Sequence, residues 1–436
     1  MAVNLSRLAS ANTYDNALSN LSKRQTALSN LQENLTSGKK VVRASDDPTG
    51  AAQAERALTR LARIATDQRA LEAQRNTIAN AESTLGDVVD ALQQFRELVV
   101  SAGNGSHTAA ERKTIADQLQ GLREQILGYA NRKDTNGQPL FGALASAAQP
   151  FTGPSAAAPD YTYNGLPGQS STSETAIAST LDGESAFMHQ TSRDGVYNVT
   201  TSTIPTNRAL TTGNVTVTDA ARVTRASYQI TFGAVVNDPI TGTSTTEFTI
   251  VETNAAGDPP TWGVPNQIGP IPVPSYTTGK PVTIKIEDTA GVPPTLVAMP
   301  GLSLTITGTP AAGDVITVDP NPSIFSVMDD AIRDIGSAAN ANAATQAVSQ
   351  AIFNLDIGMN RVSAIRGQAG DLLNRADRIT SNQESKSIQL EADRSRAEDL
   401  DMIKGIADFQ NQQTGYQAAL QSYAQVQKLS LFNYIS

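Results

Sequence analysis

The sequence predicts an α+β protein, in which both chain ends build a long antiparallel helical rod or coiled coil with an inserted antiparallel β-rich domain at its tip. Proline supports this division, since 18 of the 21 prolines lie in residues 151–322 and none follows Pro322. Apolar heptads fill both flanks, and short runs rich in Thr, Val and Ile fill the middle. Because a proline inside a helix costs about 3 kcal/mol, the flanks permit long helices and the middle does not.

The longest heptad series predicts a helix from about residue 48 to residue 101. Asp47 suits the N-cap of this helix, and Pro48 suits its first position, where the missing N–H costs nothing. At 1.5 Å per residue such a helix is ~80 Å long. The apolar series recurs every seven residues, with a companion position three residues on, at Ile64, Leu71, Ile78, Leu85, Leu92 and Val99 and at Ala81, Val88 and Phe95.

A third helix is predicted to open at Thr108, which has the capping-box spacing to Glu111. Apolar residues follow at three- and four-residue steps, and the Asn136-Gly137 pair is a turn signal after the helix. Beyond Pro322, apolar stripes begin again at Ile324 and predict further helices. Helices on both sides of a β insertion imply that the two flanks pack together.

The middle of the chain predicts antiparallel strands with one solvated face. Seven short segments alternate Thr, Val and Ile and are bounded by Gly, Pro or Asn: YNVTTSTI, NVTVTDA, SYQITFG, TEFTIVE, PVTIKIE, SLTITG and DVITVDP. Residues 151–322 hold 14 acidic and 6 basic residues, which makes this region strongly negative. We therefore predict an outward-facing, solvated β domain at residues 191–315, and a helical rod domain with a β-hairpin region at 45–190 and 316–395.

The two ends, residues 1–44 and 396–436, are predicted to be terminal helices that stay disordered until assembly. Burying the apolar side chains of these ends gains less free energy than ordering the residues costs, so a helix pair bound only to itself falls short and other subunits would supply the remaining apolar contacts. The predicted assembly interface comprises the apolar residues of both ends, namely Leu18, Leu21, Leu28, Leu35, Met402, Ile406, Phe409, Tyr416, Leu420, Tyr423, Leu429, Leu431, Phe432 and Tyr434.

Nothing in the sequence predicts catalysis, a metal site or a cofactor. The chain has no cysteine, and its two histidines, His107 and His189, lie in different parts of it. His107 lies beside a predicted helix start, which favours a solvated or capping position. The net charge of −9 disfavours a nucleic-acid partner, and no apolar run is long enough for a membrane span. We therefore expect a protein that is not an enzyme.

Several stretches resemble bacterial flagellin-family proteins over roughly residues 1–190 and 310–436. NLTSGKKVVRASDDPTGAAQAE is similar to the family signature between the terminal helix and the first rod helix. ANRKDTNGQPLFG, GTPAAGDVITV and the C-terminal AEDLDMIKGIADFQNQQTGYQAALQSYAQVQKLSLFNYIS resemble the members that join hook to filament more than filament flagellin. The signature positions matched here are Ser37, Gly38, Asp46, Asp47, Pro48, Asn136, Gly137 and Phe141.

The resemblance implies a structural protein at the hook-filament junction of the bacterial flagellum. Such a subunit would be exported unfolded by the flagellar type III apparatus, with an uncleaved N-terminal signal, and would be an extracellular part of the flagellum. Its implied partners are neighbouring copies of itself, flagellin, the hook-side hook-associated protein, and a cytoplasmic export chaperone on the C-terminal helix. No nucleic acid and no membrane is among them.

Three alternatives remain open at this point. Filament flagellin shares the signature and the rod, but it would form long filaments when seeded, whereas a junction protein would stop after a short ring. A β-domain adhesin or enzyme on a helical stalk requires binding or activity within residues 191–310 alone. A cytosolic coiled-coil scaffold requires helical, protease-resistant ends in the free monomer.

Overall fold

The structure is a computed structural model that describes residues 2–144, 148–155, 160–168, 173–203, 210–253, 267–287 and 299–435. Within these ranges, the side chains of residues 2–14 and 426–435 are not described, and only the backbone of those residues is used below.

The described residues form eight helices, and the two longest have 55 and 58 residues. None of these helices is both long and apolar enough to cross a membrane. The helices are α1 (Ala2–Ser37), α2 (Pro48–Ala102), α3 (Ala109–Ala130), α4 (Gly183–Phe187), α5 (Thr191–Asp194), α6 (Ile324–Gly336), α7 (Ala341–Glu398) and α8 (Met402–Ile435).

The strands pair antiparallel throughout the described part of the chain. They are β1 (Phe151–Thr152), β2 (Thr162–Tyr163), β3 (Tyr197–Ser202), β4 (Leu210–Thr212), β5 (Thr216–Val217), β6 (Ser227–Phe232), β7 (Val236–Asp238), β8 (Thr243–Thr245), β9 (Glu247–Thr253), β10 (Gln267–Pro272), β11 (Tyr276–Thr277), β12 (Val282–Glu287), β13 (Leu302–Gly308) and β14 (Val315–Pro320). The α+β class with an inserted antiparallel β region is thus confirmed.

The chain divides into two compact units. The terminal unit consists of residues 1–70 and 378–436, and the central unit consists of residues 71–377. Helices α2 and α7 each contribute residues to both units.

In the central unit, α2 and α7 run antiparallel. Three ion pairs between them show this, because the residue numbers rise along α2 as those of the partners fall along α7. Arg75 pairs with Asp377 at 3.1 Å, Glu82 with Arg366 at 2.7 Å, and Arg96 with Asp356 at 2.9 Å. The heptad series of α2 lies in the core. Apart from its first member, Ile64, the whole series is buried, namely Leu71, Ile78, Leu85, Leu92 and Val99, together with the companion residues Ala81, Val88 and Phe95. Apolar periodicity therefore predicted the buried face of this helix correctly.

Helix α3 begins with the predicted capping box and packs along α6. The Thr108 side chain accepts a hydrogen bond from the Glu111 backbone N–H, and the Glu111 carboxylate accepts one from the Thr108 N–H at 2.7 Å. Helix α6 buries all four residues of its predicted stripe, which are Ile324, Val327, Ala331 and Ile335.

Two sheets enclose the core of the β region in the central unit. One has the strand order β10-β9-β6-β14-β3, and the other has the order β12-β13-β4, with β5 also paired to β13. All seven predicted segments contain a strand. Their inward residues form one apolar cluster, which includes Tyr228, Ile230, Phe232, Ile250, Ile284, Ile286, Leu304, Ile306, Ile316 and Val318.

Strand β10 was not predicted, because Pro270 and Pro272 interrupt its pattern. Proline cannot donate a hydrogen bond to a neighbouring strand, so a proline-containing strand belongs at a sheet edge. Strand β10 occupies an edge of the five-stranded sheet, and its register to β9 shifts between Ile268 and Ile271. Edge position, which only the fold defines, is what permits this strand.

An aromatic cluster in the central unit was also missed. Six rings contact one another with centroid separations from 5.1 Å (Phe151–Tyr163) to 5.7 Å (Phe187–Phe325). They come from the turn after α3, the β1-β2 pair, α4 and the start of α6, and they are Phe141, Phe151, Tyr161, Tyr163, Phe187 and Phe325. No short-range period joins these positions, so the cluster is visible only in three dimensions.

Helix α6 also holds a largely buried carboxylate, Asp330, whose side chain is 19% exposed. Its oxygens accept hydrogen bonds from Asn321 Nδ2 and Arg333 Nη1, both at 2.7 Å. Burial raises the pKa of Asp330 to about 7, with a further increase from the nearby Asp334 carboxylate, and Arg333 opposes that rise. Asp330 therefore gains its charge near neutral pH.

In the terminal unit, α2 starts as predicted, with Asp47 as N-cap and Pro48 at the first helical position. Asp47 Oδ1 accepts hydrogen bonds from the Thr49 N–H at 3.0 Å and the Thr49 hydroxyl at 2.7 Å. A hydrogen bond from the Gly50 N–H, followed by the two from Thr49, lowers the pKa of Asp47. Gly50 is buried, and a Cβ built on it would lie 2.5 Å from Asp47 Oδ2 and 3.2 Å from the Ala397 carbonyl oxygen.

We predict that Asp330→Asn reduces the fall in melting temperature between pH 5.5 and pH 8. The folded-state pKa of Asp330 is raised above its unfolded value, so the stability that it contributes is full below the unfolded pKa. That contribution is lost as pH rises through about 7. Melting temperatures of both proteins, followed by circular dichroism across this range, measure the difference.

The matched control is Asp356→Asn in α7, whose carboxylate pairs with Arg96 and is about half exposed. We expect this variant to keep the pH dependence of the unmodified protein. Equal pH dependence in Asp330→Asn and the unmodified protein would show that Asp330 does not bind its proton as described.

We predict that Gly50→Ala lowers the melting temperature, although alanine favours a helix by about 1 kcal/mol over glycine. The added methyl group would displace the Asp47 carboxylate from the helix cap and press on the Ala397 carbonyl oxygen. Gly370→Ala in α7 is the control, since a Cβ there meets no atom within 4 Å, and it should raise the melting temperature. An increase in both variants would contradict the packing described for Gly50.

Candidate assembly interface

Two connecting turns of the terminal unit bond to each other. Gly38 follows α1 with φ +70°, a left-handed conformation that glycine adopts without steric cost. The Leu400 N–H donates to the Gly38 carbonyl oxygen at 2.9 Å, and the Lys40 N–H donates to the Glu398 carbonyl oxygen at 2.8 Å. These bonds tie the α1-α2 turn to the α7-α8 turn, which are separated by about 360 residues of sequence. We call this contact the turn bridge (residues 38–41 and 398–400).

A buried carboxylate strengthens the turn bridge. The Glu398 residue is 9% exposed, and its side chain forms ion pairs with Lys39 Nζ and, at 3.3 Å, with Arg394 Nη1. Two cations thus compensate one buried anion. Removing a partner of a buried ion pair leaves an uncompensated charge, which is strongly destabilising. Nearby, Asp46 Oδ2 accepts a hydrogen bond from the Arg43 N–H at 2.9 Å, so this signature aspartate shapes the same turn.

Helices α1 and α8 pair antiparallel within the terminal unit. Gly405 lies against Leu35, with its Cβ position 3.2 Å from Leu35 Cδ2, and Gly415 lies against Arg24, with its Cβ position 2.7 Å from Arg24 Nη1. A groove of about 600 Å³ remains between the helices, lined by Ala17, Asn20, Leu21, Lys23, Arg24, Gln412, Ala419, Ser422 and Tyr423. The absence of side chains at both glycines lets the helices approach closely.

The predicted interface residues lie on this helix pair, and none whose side chain is described is buried. Four of them are 42–47% exposed, namely Leu18, Met402, Ile406 and Leu420. Six more are partly buried, namely Leu21, Leu28, Leu35, Phe409, Tyr416 and Tyr423. The remaining four, Leu429, Leu431, Phe432 and Tyr434, lie outside the residues with described side chains. The helix pair therefore presents a broad apolar surface that its own contacts do not cover.

Two further exposed apolar residues of the terminal unit were not predicted. Ile403, in the first turn of α8, is 85% exposed, and Ile388 of α7 is 72% exposed. Ile403 is one residue away from the heptad position at Met402, so a search for apolar residues at strict seven-residue spacing does not select it. Ile388 has no apolar partner at heptad spacing in its own helix.

The other signature residues build a tight turn in the central unit. Asp134 Oδ1 accepts hydrogen bonds from the Asn136 and Gln138 N–H groups, both at 2.8 Å, and Gly137 has φ +79°. Phe141 follows the turn and is fully buried in the aromatic cluster. Asn136, Gly137 and Phe141 are thus structural residues of the central unit, apart from the predicted interface.

The two histidines of the chain lie in different surroundings. His107 Nδ1 lies 3.7 Å from the Glu111 carboxylate at the start of α3, as its sequence position predicts. His189 is buried, and burial lowers its pKa to about 4, although the Asp194 carboxylate opposes that shift. Among the described residues, no three His, Asp or Glu side chains form a group that could hold a metal ion.

Comparison with known proteins identifies the helical flanks. The bacterial flagellin N-terminal helical region matches residues 9–145, and the bacterial flagellin C-terminal helical region matches residues 352–435. Together these 137 and 84 residues make up about half of the 436-residue chain. The matched ranges contain all of α2, α3 and α8 and most of α1 and α7.

The similar proteins are flagellar. The flagellar hook-associated protein 3 of Salmonella typhimurium is 34% identical over 154 residues, which covers 33% of this chain and 46% of that protein. The flagellin of Bacillus subtilis is 32% identical over 128 residues, covering 29% of this chain and 42% of that protein. The chain thus spans about half the length of the curated relatives it matches.

A solved structure has the same fold. The crystal structure of flagellar hook-associated protein 3 from Legionella pneumophila superposes with a TM-score of 0.58 at 24% identity, covering 78% of this chain and 97% of that chain. At this identity the likeness concerns the fold alone. The two family matches at the chain ends, on the paired helices and the turn bridge described above, show that the chain belongs to the flagellin family.

Proposed function

We propose that this chain is a structural subunit of the bacterial flagellum that forms the junction between the hook and the filament. The observation that supports this role best is the exposed apolar surface of the α1-α8 pair. In residues 15–37 and 402–425 no side chain is buried, although leucine and aromatic residues recur along both helices. Burying apolar surface stabilises by about 25 cal/mol per Å², so such a surface favours association.

The similar proteins support the junction over the filament. The match to a flagellar hook-associated protein 3 has higher identity and greater length than the match to the Bacillus subtilis flagellin. The C-terminal sequence from Ala397 to Ser436 also resembles junction members more than flagellins. We infer from these likenesses a secreted, extracellular component with a structural and not an enzymatic role.

The proposed partners follow from the same surface. Neighbouring copies, flagellin and the hook-side hook-associated protein would cover the α1-α8 pair in the assembled flagellum. A cytoplasmic chaperone would cover the C-terminal helix before export through the type III apparatus. We propose that residues 1–44 and 396–436 become stably ordered only in these complexes, with residues 45–190 and 316–395 as the rod and 191–315 as the outward-facing domain.

We predict that Leu420→Asp gives a folded, exported protein that does not join a filament. Leu420 is 42% exposed, so an aspartate there is tolerated in the monomer but would be desolvated without a partner in the assembly. The variant gene replaces the chromosomal copy, and swimming motility, filament number by electron microscopy and the amount of variant in the culture medium are measured. We expect loss of motility and of filaments with normal secretion.

Leu166→Asp is the control, because Leu166 is a 56% exposed leucine of the central unit, outside the proposed interface. It should support normal motility. Normal motility in Leu420→Asp would contradict the assignment of the α1-α8 surface as the assembly interface.

A further inference from the structure

Helix α7 carries a protruding apolar side chain on one face of the terminal unit. Ile388 is 72% exposed, and the residues beside it are small or acidic. We call this surface the isoleucine knob, which consists of Ile388 and the residues that line a shallow, open hollow with it, namely Ser387, Glu391, Ala392, Ser395 and Asp399. Because Ile388 is largely exposed and its neighbours are small or acidic, its side chain is accessible to another molecule.

A matching cavity lies between α2 and α7 of the same unit, with a volume of about 440 Å³. Its floor is apolar, formed by Ala57, Leu390 and Ala397, and Ala57 and Ala397 are buried. We call it the arginine-rimmed groove, which consists of Gln53, Arg56, Ala57, Arg60, Leu390, Asp393, Arg396 and Ala397.

The two surfaces lie on opposite sides of α7. Leu390 is two residues after Ile388 and Ala397 is nine residues after it, and at 100° per residue both point about half a turn away from the knob. A contact between two different patches on successive copies is heterologous, and such contacts close into a ring or extend as a helix. Opposite placement on one helix lets a single copy contact one neighbour on each side.

The charges at the two surfaces are complementary. Arg56 and Arg60 at the groove rim are exposed, and neither forms an ion pair with any residue that the structure describes. Arg396 pairs with Asp393 within the groove. At the knob, Glu391 pairs with Arg394 at 2.6 Å, and Asp399 lies 4.0 Å from the same guanidinium. Arg394 also pairs with the buried Glu398, so three carboxylates share this one cation. Complementary charge steers association and disfavours other orientations.

We propose that Ile388 of one copy inserts into the arginine-rimmed groove of the next copy of this chain, with Glu391 and Asp399 facing Arg56 and Arg60. This inference rests on the proposed function, since it names the contact through which copies in the assembly meet beside the α1-α8 surface. The occupant of the groove is a second copy because the arginines at the groove rim complement the knob carboxylates in charge, and its apolar floor can take up an isoleucine side chain.

The test uses two full-length variants, Ile388→Asp, which removes the knob, and Arg56→Glu with Arg60→Glu, which reverses the groove rim. All three positions are exposed, so both variants should keep the melting temperature of the unmodified chain. Analytical ultracentrifugation is run at the lowest concentration at which the unmodified chain forms oligomers. We expect each variant alone to lose the oligomers, with at least about a tenfold rise in the concentration that assembly requires.

An equimolar mixture of the two variants gives the sharper result. The knob variant keeps an intact groove and the groove variant keeps an intact knob, so one such contact forms and the mixture should stop at dimers. Leu58→Asp is the matched control: Leu58 of α2 is 43% exposed and belongs to neither surface. It should assemble as the unmodified chain does.

Assembly of Ile388→Asp at the same concentration as the unmodified chain would overturn this inference. A mixture without dimers would also overturn it. If Ile388→Asp assembles while Leu420→Asp does not, the proposed function survives and the knob contact fails. An unmodified chain that forms no oligomers even on purified hook structures would count against the proposed function and the inference together.

Discussion

The antiparallel pairing of α2 and α7 is the interaction on which the rest of the structure depends. Its seam is apolar at heptad spacing, and its flanks carry ion pairs between residues 260 to 302 positions apart in the sequence. In the central unit this pairing supports α3, α6 and the sheets, because the insertion leaves from one helical flank and returns to the other. In the terminal unit it places the two connecting turns side by side, where the turn bridge brings α1 to α8.

The energetics of the two helix pairs differ in kind. The α2-α7 seam of the central unit is buried in the single chain, whereas the α1-α8 pair leaves its leucines and aromatic residues partly or largely exposed. A helix pair such as α1-α8 gains most of its stability from tertiary or quaternary packing and not from helix propensity. From that contrast we infer that the first pair is a scaffold and that the second is a surface which other subunits would complete.

Sequence patterns predicted those features that depend on local periodicity or capping. The heptads from Leu71 to Val99, the capping box at Thr108 and the N-cap at Asp47 depend on residues within a few turns of each other, and all were confirmed. The aromatic cluster around Phe325, the proline-bearing edge strand β10 and the contact of Gly50 with Ala397 depend on residues brought together by the fold. In the terminal unit, sequence indicated the helices of the proposed interface, but the structure was needed to show the exposure of Ile403 on α8 and of Ile388 on α7.

The most direct test of the central claim is limited trypsin proteolysis of the purified monomer, with fragments identified by mass. If the ends fold only on assembly, trypsin should cleave rapidly at Lys23, Arg24 and Lys404 of α1 and α8, about 40 residues should be lost from each end, and a core from about residue 45 to 395 should remain stable. The buried Arg112 and Arg123 of α3 should be cut only slowly, since they need unfolding of the core. Ends as resistant as α3 would contradict the account and would favour a coiled-coil scaffold that is already complete in the monomer.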